Sequence, residues 1–123
     1  MGKRRRVLCV DDNDMILHLL SIILQGRGYE VLTSSDPLTA IKIMKRRRVD
    51  LALLDYEMPQ MNGGELAALV KHKAFATKVV LFSGSITIPP HDLAFVDRFV
   101  RKADGVAALI EAIESLRSSR IGQ

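Results

Sequence analysis

The sequence predicts an α/β domain, with helices on both faces of a doubly wound, five-stranded parallel sheet. Short apolar runs alternate with longer segments of helical periodicity, and regular alternation of strands and helices is typical of a parallel sheet. A chain of 123 residues with 48% hydrophobic and 26% charged residues suits one globular domain. We therefore expect a single domain over residues 1–123, with a core from about 5 to 117.

The first two β–α units follow from their apolar patterns and turn residues. An apolar run at 7–10 predicts the first strand, and residues 29–33 predict the second. The first helix lies between these two strands and ends at the glycines at 26 and 28. Its predicted buried face consists of Met15, Leu19, Ile22 and Ile23. Asp36-Pro37 predicts the start of the second helix, because aspartate is a favoured N-cap and proline a favoured first residue.

Three further units complete the sheet. Strands are predicted at 51–54, 78–82 and 98–100. Asn62 and Glu65 have the spacing of a capping box, which predicts the start of the third helix. Pro89-Pro90 excludes a long helix between the fourth and fifth strands, so we expect a shortened or irregular fourth helix. Asp104 is the predicted N-cap of the last helix, whose expected apolar face is Val106, Leu109, Ile110, Ile113 and Leu116.

Composition excludes several classes of protein. No apolar run reaches the length of a membrane span. The net charge is +4, but the basic residues are scattered, and those in the last turns of helices suit the helix dipole. Nucleic acid is therefore not an expected partner, and neither is a membrane. The single cysteine, Cys9, lies in an apolar strand and fits core packing in the reducing cytoplasm.

Polar residues follow four of the predicted strands. They are Asp11 and Asp12, Asp55, Ser83 and Lys102. Because the carboxyl ends of parallel strands share one edge, these side chains can face one crevice. Three carboxylates there would repel one another unless a cation lay among them, and oxygen ligands suit Mg²⁺. A hydroxyl and an ammonium suit phosphoryl oxygens. The set therefore predicts a carboxylate that accepts a phosphoryl group.

The ordered set resembles the receiver domain of bacterial response regulators. It comprises Asp11-Asp12, the stretch 53–63 around Asp55, Ser83-Gly84 and Lys102. The resemblance implies a (βα)₅ flavodoxin-like fold with strand order 2-1-3-4-5. It also implies that a histidine kinase or phosphotransfer protein phosphorylates Asp55, and that the domain is otherwise not an enzyme.

The resemblance also assigns a role to each site residue. Asp12 and Asp55 would bind Mg²⁺ directly, Asp11 through water, and Glu57 through its backbone carbonyl. Ser83 and Lys102 would contact phosphoryl oxygens. Ser83 and Phe99 match the switch residues. A cytoplasmic location, an unidentified downstream protein target and a phosphorylation-dependent dimer would be consistent with this family.

Three features depart from the family pattern. Ala103 follows Lys102 where the family usually has proline, so the peptide bond there is expected to be trans. The segment between Ser83 and Lys102 is short, and it lacks the usual Gly-Ala before the fifth strand. The signalling surface built from this region is the part of the resemblance that transfers least.

Other hypotheses remain open from the sequence. Asp11, Asp12 or Asn13 could simply cap the first helix. The chain could be a receiver-like interaction module that is not phosphorylated, or an Mg²⁺-dependent phosphoesterase, although no separate acid/base residue supports the latter. A flavin carrier needs a Ser/Thr/Gly-rich loop after the first strand, but residues 12–14 are Asp-Asn-Asp.

Overall fold

The computed structural model describes residues 4–73, 75–85 and 87–118. It contains one five-stranded parallel sheet in the order β2-β1-β3-β4-β5, as predicted. The strands are β1 (Arg6–Val10), β2 (Glu30–Ser34), β3 (Leu51–Leu54), β4 (Lys78–Ser83) and β5 (Arg98–Arg101). The α-helices of the described chain are α1 (Asp14–Gly26), α2 (Pro37–Arg46), α3 (Gly63–His72) and α4 (Gly105–Ser118).

The strand register aligns the carboxyl ends of the strands. Val10, the last residue of β1, pairs with Ser34 in β2 and with Leu54, the last residue of β3. Ser83 at the end of β4 pairs with Arg101 at the end of β5. The residues that follow these strands therefore leave the sheet side by side at one edge.

The core has two layers, one on each face of the sheet. On one face α1 and α4 pack against the sheet, and on the other α2 and α3 do so. The predicted apolar face of α4 is confirmed for Leu109, Ile110, Ile113 and Leu116, which are buried. Within the described residues, no helix combines the length and the apolar character needed to cross a membrane.

The predicted buried face of α1 is wrong for three of its four residues, whereas the fourth, Ile23, is partly buried and packs against the core. Met15, Leu19 and Ile22 are 82%, 51% and 55% exposed, whereas Leu17, Leu20 and Leu24 are buried. Between its first and last turns α1 is apolar on nearly every side, so periodicity alone does not select the face that packs. The result is an exposed apolar stripe along α1, formed by Met15, Leu19 and Ile22.

Helix caps largely follow the sequence. Asp36 accepts from the Thr39 amide with Pro37 as the first residue of α2, and Asn62 forms the predicted capping box with Glu65. The N-cap of α1 is Asn13, whose side chain accepts from two main-chain N–H groups. Asp11 and Asp12 are therefore not needed as caps.

No α-helix lies between β4 and β5 in the described residues. A single 3₁₀ turn, Pro90–Leu93, takes that place, as Pro89-Pro90 predicts. A second 3₁₀ turn, Lys102–Asp104, leads into α4, and every described peptide bond is trans. The Asp104 carboxylate, predicted to cap α4, accepts hydrogen bonds from Arg101.

Candidate functional site

Three carboxylates meet at the carboxyl edge of the sheet. Asp11 and Asp12 follow β1, Asp55 follows β3, and one oxygen of each lies within 4.8 Å of the others. Asp11 and Asp55 are only 4% and 8% exposed, while Asp12 faces solvent. Within the ranges that the structure describes, this is the one group of three or more acidic, histidine or cysteine side chains placed to share a metal ion.

Main-chain hydrogen bonds hold the first residues beyond the strands. The amide of Asp55 donates to the carbonyl of Val10 over 2.9 Å, and that of Asp11 donates to the carbonyl of Ser34 over 3.2 Å. The Asp11 side chain also accepts from the Asn13 amide over 2.9 Å. The ladder thus continues one residue past the strands and fixes both buried acids.

Lys102 reaches across from the end of β5 to the two buried acids. Its ammonium lies 3.2 Å from an oxygen of Asp11 and 3.2 Å from one of Asp55. It also lies 5.8 Å from the centre of the Phe82 ring. Burial opposes its charge, but the two carboxylates outweigh that cost and raise the pKa of Lys102. Ala103 in place of proline therefore does not keep Lys102 from the site.

Asp55 is harder to ionise than an ordinary aspartate. Burial, followed by repulsion from Asp11, raises the pKa of Asp55 to about 6, although Lys102 acts in the opposite direction. A cation placed among the three oxygens would reverse this effect by favouring the charged form. Carboxylate oxygens are the ligands that Mg²⁺ prefers, so the donor set fits that ion.

The structure also places the other predicted site residues, Ser83, Glu57 and Phe99. Ser83 is fully buried at the end of β4, and its hydroxyl oxygen accepts from the Ser85 amide over 3.0 Å. Glu57 is exposed, two residues after Asp55. Phe99 on β5 is partly buried and packs against the core layer beneath α2 and α3. The structure thus brings Ser83 and Lys102 to the edge that holds Asp55.

A second polar contact in this region has no signal in the sequence. The hydroxyl of Tyr56, the residue after Asp55, donates to the buried carboxylate of Asp92 over 2.5 Å. This hydrogen bond is the main cause that raises the pKa of Tyr56 to about 12. The two residues lie 36 positions apart, and only the path of the segment between β4 and β5 brings them together.

Curated proteins with similar sequences include signalling proteins that are longer than this chain. The chain is 36% identical over 80 residues to the CAI-1 autoinducer sensor kinase/phosphatase CqsS of Vibrio cholerae, covering 65% of this chain and 12% of CqsS. It is 31% identical over 85 residues to the DNA-binding response regulator MtrA of Mycolicibacterium paratuberculosis, covering 69% of this chain and 38% of MtrA. The chain therefore matches only a part of each relative.

Solved structures and a family comparison also match this chain to response regulators. The response regulator TrrA of Thermotoga maritima, in complex with Mg²⁺ and BeF, superimposes with a TM-score of 0.85 and 31% identity, covering 91% of this chain and 98% of TrrA. TrrA in complex with the histidine kinase ThkA gives 0.83 and 32%, covering 91% of this chain and 97% of that one. The model of the response regulator receiver domain matches residues 7–114. The chain therefore belongs to the response regulator receiver domain family of two-component systems.

Proposed function

We propose that this receiver domain is a switch that accepts a phosphoryl group on Asp55. The observation that carries the proposal is the placement of Asp55, a buried carboxylate in contact with Lys102 and close to two further acids. A carboxylate with lysine beside it has both the nucleophile and the positive charge that phosphoryl acceptance needs. The donor would be a histidine kinase or a phosphotransfer protein, and TrrA, a relative, forms a complex with a histidine kinase.

The proposed transfer is a single displacement. A carboxylate oxygen of Asp55 attacks the phosphorus, a new P–O bond forms, and the P–N bond to the donor histidine breaks. The electron pair of that bond leaves with the imidazole nitrogen, which takes up a proton. Lys102 stabilises negative charge on a phosphoryl oxygen, and the Ser83 hydroxyl donates to another. Water later attacks the phosphorus of the acyl phosphate, the P–O bond to Asp55 breaks, and inorganic phosphate leaves, which restores the carboxylate.

The acidic cluster would hold Mg²⁺ during this step. Asp12, Asp55 and the carbonyl of Glu57 would bind it directly, and Asp11 through water. When bound, Mg²⁺ supplies positive charge that balances the carboxylates and the incoming phosphoryl oxygens. The part of these residues is to fix the ion and to hold Asp55 in its charged form.

Ser83 and Phe99 are the proposed switch residues. Ser83 ends β4 beside the site, and Phe99 packs on β5, where it pairs with Leu81 of β4. A shift of the Ser83 hydroxyl toward a phosphoryl group would change the packing space next to Phe99. A downstream protein would bind the surface that results.

The phosphoacceptor assignment is tested with a small phosphodonor. Acetyl phosphate with Mg²⁺ is expected to add one phosphoryl group, located on Asp55 by peptide mass spectrometry after borohydride reduction. Chelation of the metal is expected to prevent the labelling. A chain that binds its partner yet takes no label from the phosphodonor or from a kinase would be an interaction module, and the proposal would be wrong.

The exposed stripe of α1 is the proposed contact with the donor protein. Met15, Leu19 and Ile22 start three residues after Asp12 and run along one side of the helix. A protein that delivers a phosphoryl group to Asp55 must approach this edge, and an exposed apolar stripe favours contact with a helix of the partner.

Leu19→Glu is expected to slow transfer from a phosphorylated kinase by about tenfold or more, because a charge would be buried in the contact. Labelling by acetyl phosphate should not change. Leu38→Glu is the matched control, since Leu38 is also a helical leucine with 51% exposure but lies on α2. Equal rates of phosphoryl transfer from the kinase to the two variants would show that the exposed stripe of α1 is not the contact with the donor protein.

A further inference from the structure

The loop after Asp55 is hydrogen-bonded to the segment between β4 and β5. The Asp92 oxygen that accepts from Tyr56 also lies 3.5 Å from the side-chain nitrogen Nδ2 of Asn62. The other oxygen of Asp92 lies 3.4 Å from Nε2 of His91. Asp92 is only 7% exposed. A buried carboxylate that accepts from both Tyr56 and Asn62 is held in one orientation, and so is the tyrosine that donates to it.

Two glycines bring these elements into direct contact. A Cβ atom on Gly64 would lie 2.5 Å from the main-chain oxygen of Asp92 and 2.6 Å from its Cβ, so only glycine lets the 3₁₀ turn sit on the first turn of α3. The amide of Gly63 donates to the carbonyl of Tyr56 over 2.8 Å. Tyr56, the start of α3 and the 3₁₀ turn therefore form one packed unit.

The same segment also presents a surface to solvent. Leu93 and Val96 pack against the core, whereas Phe95 between them is 48% exposed. The 3₁₀ turn is only four residues long, and at its two ends the amide of Asp92 donates to the carbonyl of Pro89 and the amide of Val96 donates to the carbonyl of Leu93. The position of Phe95 therefore depends on what the turn is attached to.

We infer that Tyr56 is a positioning residue that couples the acceptor loop to the segment 87–97 through its hydrogen bond to Asp92. The inference rests on the proposed function, because the coupling has a role only if Asp55 carries a phosphoryl group or its mimic, a state called loaded below. Coupling is reciprocal: if loading of the site changes the segment, then a change in the segment must alter the affinity of the site by the same factor.

The chain provides a matched pair for comparison. Tyr29 is its other tyrosine, and its hydroxyl donates to Glu114 over 2.7 Å. This pair lies at the amino edge of the sheet, away from Asp55, since Tyr29 immediately precedes β2. Tyr29→Phe removes the same kind of tyrosine–carboxylate bond, so it reports the effect of a merely stabilising contact.

The first measurement is the affinity for Mg²⁺ and beryllofluoride, a phosphoryl mimic, by calorimetry. Tyr56→Phe and Asp92→Asn are each expected to weaken loading by about threefold or more, as removal of a hydrogen bond to a charged group does when it supports a site. Tyr29→Phe should match the parent chain. If Tyr56→Phe and Asp92→Asn also matched the parent, the coupling would be refuted.

The second measurement is amide hydrogen exchange at Asp92 and Val96, with and without Mg²⁺ and beryllofluoride. In the parent chain and in Tyr29→Phe, loading should change exchange at these two amides by about threefold or more. In Tyr56→Phe the change should disappear at saturating ligand. A parent chain that loads without any change at these amides would overturn the inference alone, whereas failure to load would overturn the proposed function with it.

Discussion

Asp55→Asn is expected to abolish phosphorylation while making the metal-free fold more stable. The amide cannot attack phosphorus as a carboxylate does, so acetyl phosphate should leave the variant unlabelled. In chelator, the variant also loses the repulsion from Asp11 and the burial of a charge, the two effects that raise the pKa of Asp55 to about 6. A shift of this size corresponds to a gain of about 3 kcal/mol in the free energy of unfolding at neutral pH.

The gain should depend on pH in a defined direction. Because the folded chain binds a proton on Asp55 more tightly than the unfolded chain does, this carboxyl costs stability as pH rises from about 4 to about 6, and the cost is complete above that range. Melts of Asp55→Asn and the parent should coincide near pH 4 and separate by pH 7. Asp36→Asn is the control, because hydrogen bonds from Thr39 lower the pKa of Asp36. If Asp55→Asn were less stable than the parent at pH 7, the three acids would not converge.

Gly63→Ala is expected to destabilise the fold by about 3 kcal/mol and to impair labelling of Asp55. A Cβ atom at this position would clash with the main-chain oxygen of Asp55 and would lie 2.6 Å from a methyl carbon of Leu81. The oxygen belongs to the backbone of the first residue beyond β3, so it cannot move cheaply, and the Leu81 side chain is fully buried. Denaturant unfolding measures the loss of stability, and acetyl phosphate labelling measures the effect on the site.

Gly26→Ala serves as the control for this substitution. Gly26 is the last residue of α1, and a Cβ atom there would have no neighbour within 4 Å. Alanine is the better helix former, so a small gain of about 1 kcal/mol or less is expected. If the two variants unfolded at the same denaturant concentration, the close contact between Gly63 and Asp55 would not exist in solution.

The placement of acidic residues at the strand ends could be predicted because it depends on local signals. Apolar runs ending at Val10 and Leu54 fix where β1 and β3 stop, and a parallel sheet then places Asp11 beside Asp55. Prolines at 89 and 90 likewise predict, from local sequence, that no long helix forms between β4 and β5. Such local signals predict where an element ends along the chain and at which edge of the sheet the next residue lies.

The packed face of α1 and the bond between Tyr56 and Asp92 could not be predicted in that way. In α1, apolar residues on several sides give more than one acceptable face, and only packing against β1 and α4 selects Leu17, Leu20 and Leu24. The tyrosine–aspartate bond joins residues 36 positions apart through a segment with little regular structure. Both features depend on tertiary contacts, for which this sequence has no periodic signal.

Lys102 gives the site a positive charge that does not depend on the concentration of ions in solution. An ion from solution neutralises the cluster only in proportion to its concentration, whereas an ammonium covalently attached to the same chain is present at a fixed, high effective concentration. Its contacts of 3.2 Å with Asp11 and with Asp55 mean that any cation entering from solution competes with a partner already supplied by the chain. The folded state therefore depends less on a bound ion for charge balance, and a cation that binds the three acids would have to compete with Lys102 for them.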